Sequence, residues 1–576
     1  MFYPIALSLF LLNTAFAAVK NPDTFVEVKP SGDISSLDPA WAFDTASEEA
    51  AMNIYEPLIF YKGASIKELE PLLSEQVPSV KNGLISADGL SYTFPIRKNV
   101  RFHNGETLTC EDARYSILRF MIMDRASGPS FLLLEPIAGR PSTRNDKGEI
   151  DFDFDAVSRR VACEGQNLKI TLPRPYGPFL SIAAQWTYVV SKEWAVKNGD
   201  WNGRAETWKQ YNNAQKESSH LFTHTNGTGA FLLERWDRNL KQIILARNDH
   251  YWRAPAKLKR VVIMGVPEFA TRKLRIASGD ADFLDESGRQ FEPQLTGLSG
   301  VKLYDFPALR VEALFMTFHI STAANAAVYS GRLDGEGIPP DFFTDINVRK
   351  GFAHAFNGEA YLRDILRGKA TRPHGAIPKE MLGFNPKPPA YSYDPSRATE
   401  YLKKAWGGQI WEKGFKMAIY HDANNSYRQM ACEILKRGVE SLNPKFRIDI
   451  RSLDWSTFLA NVIAHKLPVF KLGWTADFAD PHNFAFAYLH SNGMYPSRAQ
   501  IRYPEWDKIV EEANALVDPA KRQALYERLQ QSANEEVAQI YTDQPLAMRA
   551  IRDWVQGFYF NPVFPGVSFY PLLNAE

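Results

Sequence analysis

Strand-like alternation and helix-like periodicity interleave along this chain, and no repeat with a period of roughly 20–50 residues recurs. That pattern excludes solenoids and propellers and calls for helices packed on sheets. Tyr92, Phe94 and Ile96 alternate, as do Leu168, Ile170 and Leu172, and both runs predict half-buried strands. Val261-Val262-Ile263-Met264 predicts a more deeply buried strand. Asp394-Pro395 and Asp518-Pro519 each supply an N-cap followed by proline at the first helical position. Behind the first, Ala398, Tyr401, Leu402, Ala405 and Trp406 share one helical face; behind the second, Leu525, Leu529 and Ala533 do so. Met430, Ile434 and Leu435 mark a third helix, around Cys432. Polar or Gly/Pro-rich stretches at 139–148, 198–219 and 322–340 read as loops or insertions. Strands and helices mix without clean βαβ alternation, which points to an α/β or α+β protein of several lobes. With 576 residues, the chain has length for about three to five domains or lobes.

Bulk properties exclude several partners. A 45% hydrophobic composition rules out a disordered chain. The 67 Lys+Arg against 66 Asp+Glu leave a net charge of +1, so no global field draws nucleic acid or an acidic membrane. No nucleic-acid partner is expected.

The first charged side chain is Lys20. Before it, Ile5 to Leu12 form an apolar stretch too short to span a bilayer. Ala15-Phe16-Ala17 then supplies the small-x-small pattern of a signal-peptidase site. Residues 1–18 are expected to be a signal peptide, cleaved after Ala17 or Ala18, although no basic side chain precedes the apolar run; a core helix is the competing reading. Export places the mature chain in the periplasm, and no later apolar run is long enough to cross a membrane. In an oxidising compartment Cys110 and Cys163 either pair or, with Cys432, remain small buried hydrophobes.

Catalytic and metal-site signatures are absent. Asn226-Gly227-Thr228-Gly229 holds G-x-G, but Leu232 stands where the dinucleotide fingerprint needs a third glycine. No P-loop, nucleophile elbow or H-E-x-x-H helix occurs. The eleven histidines are scattered, and the surroundings of His220 and His224 predict a loop. No enzyme activity, metal or cofactor is expected.

A collinear series of segments carries more. Leu37-Asp38-Pro39 is followed by Asn53-Ile54-Tyr55-Glu56-Pro57-Leu58, then by Val100-Arg101-Phe102-His103-Asn104-Gly105-Glu106-Thr107-Leu108-Thr109 and Glu111-Asp112-Ala113. Gly227-Thr228-Gly229-Ala230-Phe231, Arg247-Asn248-Asp249-His250-Tyr251-Trp252, Ser278-Gly279-Asp280-Ala281-Asp282, Asp345-Ile346-Asn347-Val348-Arg349-Lys350, Tyr393-Asp394-Pro395 and Gly473-Trp474-Thr475-Ala476-Asp477 complete it. Together they resemble the bacterial extracellular solute-binding proteins of family 5, the dipeptide- and oligopeptide-binding group of ABC importers. Most of these residues have plain structural readings. Asn104-Gly105 is a tight-turn dipeptide, and Glu111 and Asp112 suit a first helical turn.

The resemblance implies an α/β, two-lobed periplasmic-binding-protein fold (type II, cluster C) with an additional domain on the first lobe. Lobe I would comprise 19–57, 191–306 and 541–576, the additional domain 58–190, and lobe II 307–540. The chain would cross between lobes near Phe306-Pro307 and Gln544-Pro545, and the ligand would lie between them. The resemblance also implies that Asp477 holds the free α-ammonium of a peptide; the alternative is a surface or helix-start carboxylate. Asp480, before Pro481, reads as an N-cap. Trp474 reads equally as a pocket wall or as core. For the peptide's other end, Lys471 and His421 match positions where relatives carry a basic residue, though both also suit plain solvation. His421 replaces an arginine of dipeptide binders, which counts against strict dipeptide recognition.

Expected partners are a peptide and an inner-membrane ABC permease, with the chain itself a monomer. Rival cargoes on the same fold are a nickel chelate, a sugar, an opine or an antimicrobial peptide. A periplasmic chaperone or sensory partner is a rival of another class. The 322–340 insertion is expected to reshape the cleft mouth.

Overall fold

The strand Gln539–Arg552 threads both halves of the molecule. Residues 539–543 pair antiparallel with Arg310–Met316, and residues 546–552 pair antiparallel with Val301–Pro307. Between the two ladders lies Pro545, which has no N–H to give to either. The computed structural model describes residues 19–575 apart from 31, 33, 126–127, 146, 286–287, 389–390 and 424. The expected signal peptide, 1–18, lies outside the described residues.

The twelve-stranded sheet runs Phe446–Leu453, Phe415–Asp422, Val469–Thr475, Arg310–Met316, Gln539–Arg552, Phe283–Asp285, Thr24–Lys29, Arg260–Gly265, Gln242–Arg247, Phe231–Asp237. Val301–Pro307 and Ala370–Thr371 also pair with the long strand. Thr24–Lys29 lies parallel to both of its neighbours, and so does Phe415–Asp422. The sheet therefore consists of two α/β sections joined through one strand, a two-lobed arrangement. A separate three-stranded sheet pairs Ser91–Pro95 with Asn167–Thr171 and that strand with Val161–Glu164.

Local signals set many element boundaries. Asp394 and Asp518 cap Pro395–Lys404 and Pro519–Glu536 by accepting from main-chain N–H groups. Ala398 and Leu402 bury the first helix's apolar face. That helix stops at Lys404, so Ala405 and Trp406 fall outside it, and Trp406 takes a left-handed conformation (φ 51°). Arg260–Gly265 buries Val261 and Ile263 and leaves Val262 and Met264 half-buried, so it alternates rather than being buried throughout. Thr109 and Asp112 form a reciprocal capping box on Cys110–Met123. Cys110 and Cys163 form a disulfide, and Cys432 is free and buried.

The motif segments meet through buried polar contacts. The Arg119 guanidinium, 1% exposed, reaches both Asp38 (2.6 Å) and Asp200 (2.7 Å). Tyr251 Oη and Trp252 Nε1 donate to the Glu56 carboxylate at 2.7 and 2.9 Å. Gly227 and Gly229 let their loop approach the end of Thr45–Ile54, where a Cβ on either would meet the Ile54 carbonyl oxygen at 2.1 or 2.6 Å. The 322–340 segment lies against the strands of the second section: Ala418 N–H donates to Ala327 O, and Tyr329 Oη bonds to Asp449. Among the described residues no helix is long and apolar enough to cross a membrane.

Truncating Arg119 strands two buried carboxylates. Arg119→Met is expected to lower the unfolding free energy by about 3–5 kcal/mol, read from the urea midpoint. An unchanged midpoint would mean that this fork does not hold the segments together.

Candidate functional site

Val469–Thr475 runs out of the sheet into Ala476 and Asp477, and the chain then re-enters a helix, Pro481–Leu489. Asp480 starts that helix by accepting from His482 N–H at 2.8 Å, and Arg522 grips the same carboxylate at 2.6 and 2.7 Å. This double hold fixes the helix's first turn and with it Asn483. The Asn483 amide then organises the residues before it. Its Oδ1 accepts from Trp474 Nε1 (2.9 Å) and Asp477 N–H (3.2 Å), and its Nδ2 donates to Asp477 Oδ2 (2.9 Å).

Asp477 thus projects into a cavity of about 420 Å³. One wall includes Phe131, Leu132, Glu135, Arg174, Tyr176 and Ile182; the other includes Trp474, Phe478, His482, Phe486 and Met494. Two separate parts of the chain close over it. Trp186 Nε1 donates to Asp477 O at 3.0 Å, Ala479 N–H donates to Tyr61 Oη at 3.1 Å, and Gly177 N–H donates to Asn514 O at 2.8 Å. His482 Nε2 lies 3.7 Å from Glu135 across the cavity, and the His482 ring meets Tyr176 edge-on.

Charge in this space is unevenly matched. Burial pushes the Asp477 carboxyl up to about 6, against the single opposing hydrogen bond from Asn483. Among the described residues no Lys, Arg or His forms an ion pair with it. Glu135 behaves oppositely: burial would raise it, but His482 and Arg174 hold it below the usual carboxylate range. A half-buried anion facing a hollow without a counter-ion is costly for a fold and useful for a cation receptor.

The expected site residues divide into two groups. Asp477 and Trp474 come together on the cavity wall, and Trp474 also packs against the core. Lys471 and His421 do not reach the cavity. Lys471, 1% exposed, ion-pairs with Glu312 (2.7 Å) and Asp543 (3.5 Å) inside the sheet. Burial would raise Glu312, but Arg428, Lys471 and Arg310 hold it well below the carboxylate range. His421 is buried at the end of its strand, with Nδ1 facing Asp422 O at 2.8 Å. The 322–340 insertion contributes no wall residue either. Asn483, Glu135, Arg174 and His482 were not expected. Only Asn483 had a local signal, standing in the first turn after a recognisable cap. His220 and His224 stack on each other at 4.0 Å, and among the described residues no group of three or more His, Cys, Asp or Glu is placed to hold a metal ion.

Comparison with known proteins adds the family. The pattern described as "Bacterial extracellular solute-binding proteins, family 5 Middle" matches residues 68–496. The "Probable D,D-dipeptide-binding periplasmic protein DdpA" of Escherichia coli (strain K12) is 23% identical over 580 residues, covering 98% of this chain and 97% of its own. The "Oligopeptide-binding protein OppA" of Bacillus subtilis (strain 168) is 23% identical over 450 residues, covering 77% of this chain and 74% of its own. A solved structure of the Helicobacter pylori "ABC transporter-associated periplasmic binding protein DppA", in complex with peptide STSA, superposes with a TM-score of 0.73. It covers 96% of this chain and 98% of its own at 22% identity, which establishes the type II binding-protein fold.

The raised carboxyl has a consequence for stability. A carboxyl whose folded pKa lies above its unfolded 3.8 costs nothing while protonated in both states, and its cost is complete above about pH 6. Asp477→Asn is therefore expected to stabilise the ligand-free protein by on the order of 1–2 kcal/mol at pH 7.5 and to leave it unchanged below about pH 3. A loss of stability at pH 7.5 would identify Asp477 as a structural anchor instead.

Proposed function

The chain belongs to the bacterial extracellular solute-binding proteins, family 5, and on that premise we propose that it captures peptides in the cavity at Asp477 as the substrate-binding component of an ABC importer. The observation that carries this reading is the Asp477 carboxylate, directed into a hollow between two parts of the fold and lacking a counter-ion among the described residues. A peptide's α-ammonium supplies that charge with three N–H donors, and charge-assisted hydrogen bonds are the strong ones. A ligand without the amine leaves the anion dry and unpaired, so the site discriminates by penalty as well as by attraction. Arg174 on the opposite wall is the cation available for an anionic end, in the role expected of Lys471 or His421. Trp474 forms the apolar wall beside the first residue.

In this reading lobe I comprises 19–57, 191–306 and 541–576, the additional domain 58–190, and lobe II 307–540. The split strand pairing at Gln544-Pro545 supports hinge crossings there and near Phe306-Pro307. Ligand stabilises the closed arrangement because it binds it more tightly than the open one. An inner-membrane permease then receives the closed form, after export of the chain to the periplasm.

Native mass spectrometry of protein purified without unfolding is expected to show bound peptides. Calorimetry with di- to pentapeptides is expected to show affinity falling tenfold or more in Asp477→Asn, on the order of one charged hydrogen bond. In the wild type, affinity should fall as pH drops below about 6, because the ammonium needs the ionised carboxylate. Undiminished affinity in the variant would remove Asp477 from the site.

A further inference from the structure

Asp477 is not the only carboxyl in its corner of the fold. Burial above all, and then repulsion from Asp477 and Asp44, pushes the Glu48 carboxyl on Thr45–Ile54 well above the usual carboxylate range, against a hydrogen bond donated by Gln185. Gln185 and Trp186 close Phe179–Trp186, and Trp186 is the residue that donates to the Asp477 carbonyl, so Glu48, Gln185 and Asp477 share one corner. Tyr188 adds a side to it, since Glu48 acts on the Tyr188 hydroxyl electrostatically.

The corner is rich in acceptors and poor in donors. Gln185 is 3% exposed, and its Oε1 has no hydrogen-bond partner. Among the described residues neither Glu48 nor Asp477 forms an ion pair. The donors that face the two carboxylates are the amides of Asn483 and Gln185, one to each. Asp44, the other carboxylate near Glu48, is already engaged by Ser35 and Ser47. Two carboxylates and an amide oxygen offer many more lone pairs than one ammonium has protons. With one ligand cation at Asp477, Glu48 ionises only if a second cation reaches it.

Resting on the peptide reading above, we propose that this corner is a second cation subsite and that the preferred ligand is a peptide whose first residue carries a basic side chain. Its α-ammonium goes to Asp477. Its side-chain cation is received between Glu48 and the free Gln185 Oε1. A neutral first side chain leaves that oxygen and one carboxylate unsatisfied, and a basic second residue points elsewhere along the chain.

Calorimetry at pH 7.5 with three dipeptides tests this. Lys-Ala and norleucine-Ala share the same four-carbon stem and differ in the terminal ammonium; Ala-Lys moves that ammonium to the second residue. Lys-Ala is expected to bind about tenfold or more tightly than either of the others, the scale of one hydrogen bond to a charged group. Glu48→Gln is expected to erase that gap between Lys-Ala and norleucine-Ala. Equal binding of Lys-Ala and norleucine-Ala by the wild type overturns the subsite with no variant needed, and it leaves the peptide reading standing. Equal gains for Lys-Ala and Ala-Lys show general charge attraction and also overturn it. Binding of none of the three, nor of tri- to pentapeptides that begin with lysine, overturns the peptide reading and this inference with it.

Discussion

A half-buried carboxylate with no counter-ion among the described residues is the constraint on which this molecule's architecture turns. Asp477 sits at the exit of a sheet strand, and a fold that only needed a stable turn there would gain by having asparagine. The surroundings keep the anion in place despite its cost. Arg522 fixes Asp480, Asp480 fixes the helix start, and Asn483 in that first turn orients both Asp477 and Trp474. The links are short, and those at Asp480 are buried, so the side chain's direction is set by the scaffold rather than by any ligand.

The cavity exists because a different part of the chain comes down on the same turn. Trp186, Tyr61 and Gly177 meet Asp477, Ala479 and Asn514 through main-chain groups, and Glu135 faces His482 across the hollow. The sheet itself is continuous only through one long strand, whose pairing changes partner at Pro545. In the proposed reading this narrow join is where the two parts close, and a ligand drives that closure only by binding the closed form more tightly.

Much of this was legible in the sequence wherever the signal was local. Asp394-Pro395, Asp480-Pro481 and Asp518-Pro519 each begin a helix as read, because a cap and a proline act within four residues. The fold followed from collinear motifs, two of which are fastened to each other where Tyr251 and Trp252 donate to Glu56. Long-range electrostatics was not legible. Lys471 had the right charge in the right neighbourhood, but its partners Glu312 and Asp543 lie far away along the chain and only the sheet register brings them to it. The burial of His421 at a strand end likewise cannot be read from its neighbours along the chain. Glu48 and Arg174 stand in segments with no motif at all, and only the folded chain puts them near Asp477 and its cavity. Helix length erred at Ala405 and Trp406, where the apolar period continued although the backbone had turned left-handed.

The most direct test of the central claim is a crystal structure of the protein grown with a saturating short peptide. The account predicts the ligand's terminal nitrogen within about 3 Å of an Asp477 oxygen, the distance of a charge-assisted hydrogen bond. A peptide lodged elsewhere, or an Asp477 side chain found paired with one of the protein's own cations, would contradict it.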